Sequence, residues 1–206
     1  MSRYRRMRAD AVFVTRAARV GLVAVLVVGA FTRNVSVVVN ATGALAVSYL
    51  PGVLQRDLQV PLPPWTAAYV AVAVLLHAVG MVALYDDVPW WDHLTHVLSA
   101  SIVAGVAYLV VTAFDEHDDR IALPQPYLGA YVVAFAVAAG VVWEVGEEGM
   151  RQLALAAGFE PVLVVYGLED TILDLVFDAA GGLVVAAFGH VRLQEPAREL
   201  GRRLRR

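Results

Sequence analysis

Asp170–Val191 reads DTILDLVFDAAGGLVVAAFGHV, a stretch long and apolar enough to cross a bilayer that also carries Asp170, Asp174 and Asp178. About 20 mostly apolar residues span the hydrocarbon as a helix. A helix turns about 100° per residue, so three acids spaced by four fall on one stripe about 12 Å long. A carboxylate near the bilayer centre costs roughly 2.5–3.5 kcal/mol. A hydrogen bond across helices returns only about 0.6 kcal/mol on average. The stripe therefore demands compensation, and ionisable groups inside a membrane mark functional sites by default.

The rest of the chain fits this reading. Of its 206 residues 59% are hydrophobic, above the about 45–50% usual in soluble domains, and the mean hydropathy is +0.64. Six apolar stretches follow one another, 11–32, 35–54, 65–84, 92–114, 127–157 and 170–191. They are divided by Arg33-Asn34, by Gln55-Arg56-Asp57 with Pro61, Pro63 and Pro64, by YDDVPWW (85–91), by the acidic DEHDDR (115–120) before Pro124 and Pro126, and by Gly158, Pro161 and Gly167. The first has the shortest uninterrupted apolar part, Val20–Phe31, with Arg16 and Arg19 near its entrance. No small-residue cleavage pattern follows it, so a removable signal peptide is not expected. With no internal repeat or low-complexity linker, the expectation is one all-α domain, a polytopic membrane bundle of about six transmembrane helices.

Arg3, Arg5, Arg6 and Arg8 crowd one terminus, and Arg198, Arg202, Arg203, Arg205 and Arg206 the other. The positive-inside rule places both in the cytoplasm of a multi-pass plasma-membrane protein, which an even number of spans satisfies. These clusters suit anionic lipid headgroups, and nothing in the sequence signals nucleic acid. YDDVPWW then faces outward, where Tyr85, Trp90 and Trp91 form an interfacial aromatic belt. All sixteen basic residues are arginine and cysteine is absent, which excludes disulfides and thiolate metal ligands. Lysine-free, Ala- and Val-rich composition with acidic loops suggests a high-GC source, halophilic and of haloarchaeal type.

Under this topology acids from three spans meet on the outer side. Asp92 and His96, four apart, share a face of the fourth span; Glu144 and Glu147, three apart, share one on the fifth; Asp170, Asp174 and Asp178 descend the sixth. Arg151 is the one arginine nearby in sequence, four after Glu147. Relief comes either from protonation driven by burial and like-charge crowding or from a bound cation. Oxygen ligands in this number suit Mg²⁺, Ca²⁺ or Mn²⁺, and the single histidine admits Mn²⁺, Fe²⁺ or Zn²⁺.

Pro89-Trp90-Trp91-Asp92 with His96, Trp143-Glu144 with Glu147, and Asp170-Thr171 with Asp174 and Asp178 occur in that order. Together they resemble the YjdF-like family of multi-span inner-membrane proteins over about Val35–Gly189. The Asp-x-x-x-His start is more distantly similar to the VanZ-like group. The resemblance implies the same topology and the same polar residues, and no reaction. In that pattern an acid often follows a glycine late in the third span; here Gly80 is followed by Met81.

Blander readings compete. Asp170 and Asp92 each suit a helix N-cap. His77 and His93 read as packing or interface residues, Glu148 as solvated or interfacial and His117 as solvated. Gly181-Gly182 suits close helix packing. Glu147-Glu148 with Arg151 resembles the signature of intramembrane CAAX-type proteases, but the arginine is one residue early and later histidines are missing. Three functions follow. In a metal-dependent enzyme on a lipid or lipid-linked phosphate, Asp92, His96, Glu144, Asp174 and Asp178 are ligands and Glu147 or Asp170 the general base. A proton- or cation-coupled transporter uses the same acids. A non-catalytic membrane scaffold uses none of them.

Overall fold

The computed structural model describes residues 2–57, 59–117, 123–158, 161–162 and 167–204, with side chains from residue 5 onward. Among them are seven helices and no strand: α1 (Ser2–Thr32), α2 (Val35–Arg56), α3 (Pro64–Asp87), α4 (Trp91–His117), α5 (Gln125–Ala156), α6 (Leu168–Arg192) and α7 (Gln194–Leu204). The first six are long and apolar enough to cross a membrane. Part of the expected acidic loop (118–122), part of the last loop (159–160, 163–166) and the arginines at 205–206 lie outside the described residues.

Large apolar side chains cover the outside: Phe31 is 85% exposed, Phe13 72% and Val142 72%. In water such a surface would drive association; against lipid tails it is solvated, and helix contacts must come from close packing instead. By its internal contacts the chain forms two compact units, residues 1–95 with 149–164 and residues 96–148 with 165–206.

In the first unit α1, α2 and α3 pack on one another. The α1–α2 turn needs only two residues: Arg33 takes a positive φ of 57°, and Asn34 caps α2 by accepting from the Val37 N–H at 3.1 Å. Leu22 and Val25 meet Val37, Ala41, Ala44 and Ala78 in the core. Pro51 lies inside α2. Helix α3 widens into a π turn over Gly80–Leu84, folding the Tyr85 ring onto Gly80, where a Cβ would stand 2.6 Å from it.

In the second unit α6 is held between α4 and α5 by glycines. A Cβ on Gly181 would come within 2.5 Å of the Val97 carbonyl oxygen of α4, and one on Gly182 within 3.0 Å of the Val133 Cα of α5. The expected close packing at this pair is thus present on both sides. Helix α7, read from sequence only as a charged terminus, buries Ala197 and Gly201. Gly201 lies against the Ala113 carbonyl of α4, and Arg198 Nε donates to Glu116 Oε1 at 3.0 Å.

Candidate cation site

The α6 stripe places two of its aspartates inside the second unit: Asp174 and Asp178 are 3% and 4% exposed. One helical turn apart, they present carboxylates to a single imidazole from α4. His96 Nδ1 lies 3.2 Å from Asp178 Oδ1, and His96 Nε2 lies 3.6 Å from Asp174 Oδ1. Each ring nitrogen therefore faces its own carboxylate. Glu144 comes from α5, and its Oε2 accepts from Thr171 Oγ1 of α6 at 2.9 Å.

What the protein leaves unmade matters as much. Asp178 Oδ2 and Glu144 Oε1 are buried with no hydrogen-bond partner among the described residues. Buried polar oxygens without partners are rare in folded proteins, because each forfeits its hydration. Two of them in one unit are acceptors without donors, one on Asp178 beside His96 and one on Glu144 beside Thr171. Asp178 also sits where a side chain would ordinarily be: a methyl on Gly140 would overlap its carboxylate. Gly140 is four residues before Glu144, so one face of α5 first clears space for Asp178 and then supplies Glu144.

The structure thus brings together His96, Asp174 and Asp178, with Glu144 held beside α6 through Thr171. Asp92 stands one turn before His96 on the same face of α4 by helical spacing and groups with the first unit. It is the second residue of α4 and not its cap, while its backbone carbonyl accepts from Thr95 Oγ1 at 2.9 Å. The N-cap reading of Asp170 also fails, since Gly167 holds that place and Asp170 is the third helical residue, half-buried. Helix α6 begins two residues earlier than the apolar pattern implied, which turns a cap into a first-turn carboxylate. Glu147 and Glu148 are both half-buried.

Sequence reasoning gave no role to Thr171, a member of the third motif, nor to Gly140. A small residue four before an intramembrane glutamate was the available signal for the latter. His77, read as a packing or interface residue, is hydrogen-bonded as well: its Nδ1 lies 2.6 Å from Tyr85 Oη, which is 3.2 Å from Thr95 Oγ1.

The family described as "Predicted membrane protein (DUF2238)" matches residues 14–195, a range containing every residue named for this site. An uncharacterised protein of Thermotoga maritima is 25% identical over 142 residues, covering 67% of this chain and 68% of that protein. No solved structure matches.

Proposed function

This chain belongs to the DUF2238 family of membrane proteins, and we propose that in it His96, Asp174, Asp178 and Glu144 bind a divalent cation that serves chemistry on a lipid or lipid-linked phosphate. The observation that carries this reading is the pair of buried, unpartnered oxygens, Asp178 Oδ2 and Glu144 Oε1, beside an imidazole with a carboxylate at each nitrogen. Three carboxyls and one imidazole make an oxygen-rich set with a single nitrogen. That set suits Mn²⁺ or Zn²⁺, and with waters Mg²⁺ or Ca²⁺. Such an ion supplies Lewis acidity toward a phosphoryl oxygen and acidifies water. Glu147, one turn beyond Glu144, and Asp170, one turn before Asp174, are the groups assigned to take the proton. Asp92, on the His96 face of α4, extends the same donor chemistry. The positive-inside rule, applied to the arginine-rich termini, supports a site in the outer half of the plasma membrane and a substrate in the outer leaflet.

The test is elemental analysis of protein purified in detergent without chelator. About one Mn, Zn, Mg or Ca per chain is expected in the parent, and loss of it in folded Asp174→Asn and His96→Ala. Equal, near-zero metal in the parent after loading with each ion refutes the site. A second reading draws on the histidine between two aspartates: a proton shared among the three would suit a proton- or cation-coupled transporter. It predicts pH-driven flux in proteoliposomes that His96→Ala abolishes; a cation panel without flux removes it.

A further inference from the structure

The first unit holds a charge of opposite sign inside its own spans. Arg19 stands thirteen positions before Thr32 on α1, and Ser48 thirteen after Val35 on α2. At 1.5 Å per residue both lie about 20 Å from the turn that joins the two helices, about two thirds of the way through a hydrocarbon layer of about 30 Å. Arg19 Nε donates to Ser48 Oγ at 3.2 Å and Nη2 donates to the Ser48 carbonyl at 2.7 Å. The guanidinium also lies over the Tyr49 ring, 3.7 Å from its centroid.

All of these partners are neutral. Part of the arrangement is structural: Pro51 has no N–H to give the Val47 carbonyl four residues back, and beside that opened turn Arg19 ties α1 to Ser48 of α2. That task requires hydrogen bonds and no charge. A guanidinium carries five N–H donors; two are used, and no carboxylate pairs with Arg19 among the described residues. Arg16, exposed and one turn earlier, is on the same face, its Cβ about 5–6 Å away. Helical side chains slant toward the N-terminus, so both cations reach toward the membrane face that holds it.

We propose that Arg19 and Arg16 form an anion site within the bilayer that binds the phosphate of an anionic lipid headgroup. Guanidinium matches phosphate with paired N–H donors. The lipid is favoured over a soluble anion because the approach is lateral: the Tyr49 ring under the guanidinium is 50% exposed, and Val20, next to Arg19 in the chain, and Val47, next to Ser48, are exposed apolar residues.

Native mass spectrometry of the full chain in detergent, offered phosphatidylglycerol or phosphatidylcholine, tests this. The parent should retain phosphatidylglycerol preferentially, and Arg19→Gln or Arg16→Gln should each lower that preference by about fivefold. Ser48→Ala, which removes one neutral contact, should keep it. Arg16→Gln leaves the Ser48 contacts intact, so it remains decisive should Arg19→Gln fail to fold. An unchanged preference in Arg16→Gln overturns the site. Displacement of phosphatidylglycerol by millimolar inorganic phosphate overturns the lipid as its ligand.

Discussion

Gly140→Ala is the sharpest perturbation of the proposed cation site, because it changes no proposed ligand. A Cβ there would lie 3.0 Å from Asp178 Cγ and 3.2 Å from Leu175 Cδ2, with Asp178 Oδ2 inside contact distance. Either the carboxylate rotates away or α5 and α6 separate by a few tenths of an ångström. Ligand positions tolerate displacements of about 0.2 Å, and losing the groups that hold a ligand in place typically weakens metal binding 10–100-fold. That factor is about 1.4–2.8 kcal/mol. Overpacking costs about 1–3 kcal/mol, while alanine favours a helix interior over glycine by up to about 1 kcal/mol. The cation-free protein should therefore be destabilised by no more than about 3 kcal/mol. Mn²⁺ titration by calorimetry in detergent, beside thermal unfolding of cation-free protein, separates the two effects. Gly129→Ala is the control, since its Cβ would meet Ala186 Cβ at an ordinary 3.6 Å. Adding Asp178→Ala to Gly140→Ala should restore stability without restoring binding. Parent-like Mn²⁺ affinity in Gly140→Ala would refute the placement of Asp178.

Three further outcomes are expected. Thr171→Val removes the donor to Glu144 and leaves both of that carboxyl's oxygens unsatisfied, so the cation-free protein should lose about 1–3 kcal/mol by thermal unfolding; an unchanged midpoint would deny the bond. Gly80→Ala should cost about 1–3 kcal/mol by overpacking against Tyr85, and less than additively with Tyr85→Phe, since both disturb the contact with His77. In α7 the Glu199 carboxyl is held below the usual carboxylate range by Arg203 first and then Arg202. A depressed folded pKa contributes stability above the unfolded value, about 4.3, and that stability is lost as pH falls through the folded value. Amide exchange in α7, corrected for intrinsic rates, should rise as pH falls below about 4 in the parent and not in Glu199→Gln.

The six spans were legible because hydropathy and turn residues act locally: Arg33-Asn34, Pro63-Pro64 and Gly167 end or begin helices by their own chemistry. Helix ends were less so, because backbone hydrogen bonding continues where the apolar run stops. Helix α1 starts at Ser2, nine residues before its apolar stretch, which leaves Arg19 inside a span and not at its entrance. Helix α7 was hidden by its arginines, though Leu193, Ala197, Gly201 and Leu204 recur at helical spacing. His96, Asp174 and Asp178 could be chosen from sequence because charge in a membrane is conspicuous. Gly140 could not, since what matters there is an absent side chain facing a residue 38 positions away. The π turn was equally hidden, GMVAL being unremarkable as an α-helix.

That π turn makes α3 sensitive to length more than to composition. A π turn closes its hydrogen bonds one residue further along than an α-helix does, and so stores one extra residue within the span. The Gly80 N–H still reaches back to the His77 and Leu76 carbonyls, and Trp91 Nε1, from beyond the loop, donates to that same Leu76 oxygen at 3.0 Å. Removing one residue, Val82 for instance, would leave hydropathy nearly untouched and let the segment relax to an ordinary helix. The end of α3 beyond the π turn would then swing by about 100°, taking Tyr85 off Gly80 and away from His77. A one-residue deletion here is thus a change of angular phase, and any relative with one residue fewer between its third-span glycine and its Trp-Trp pair should present a different side chain at the Tyr85 position.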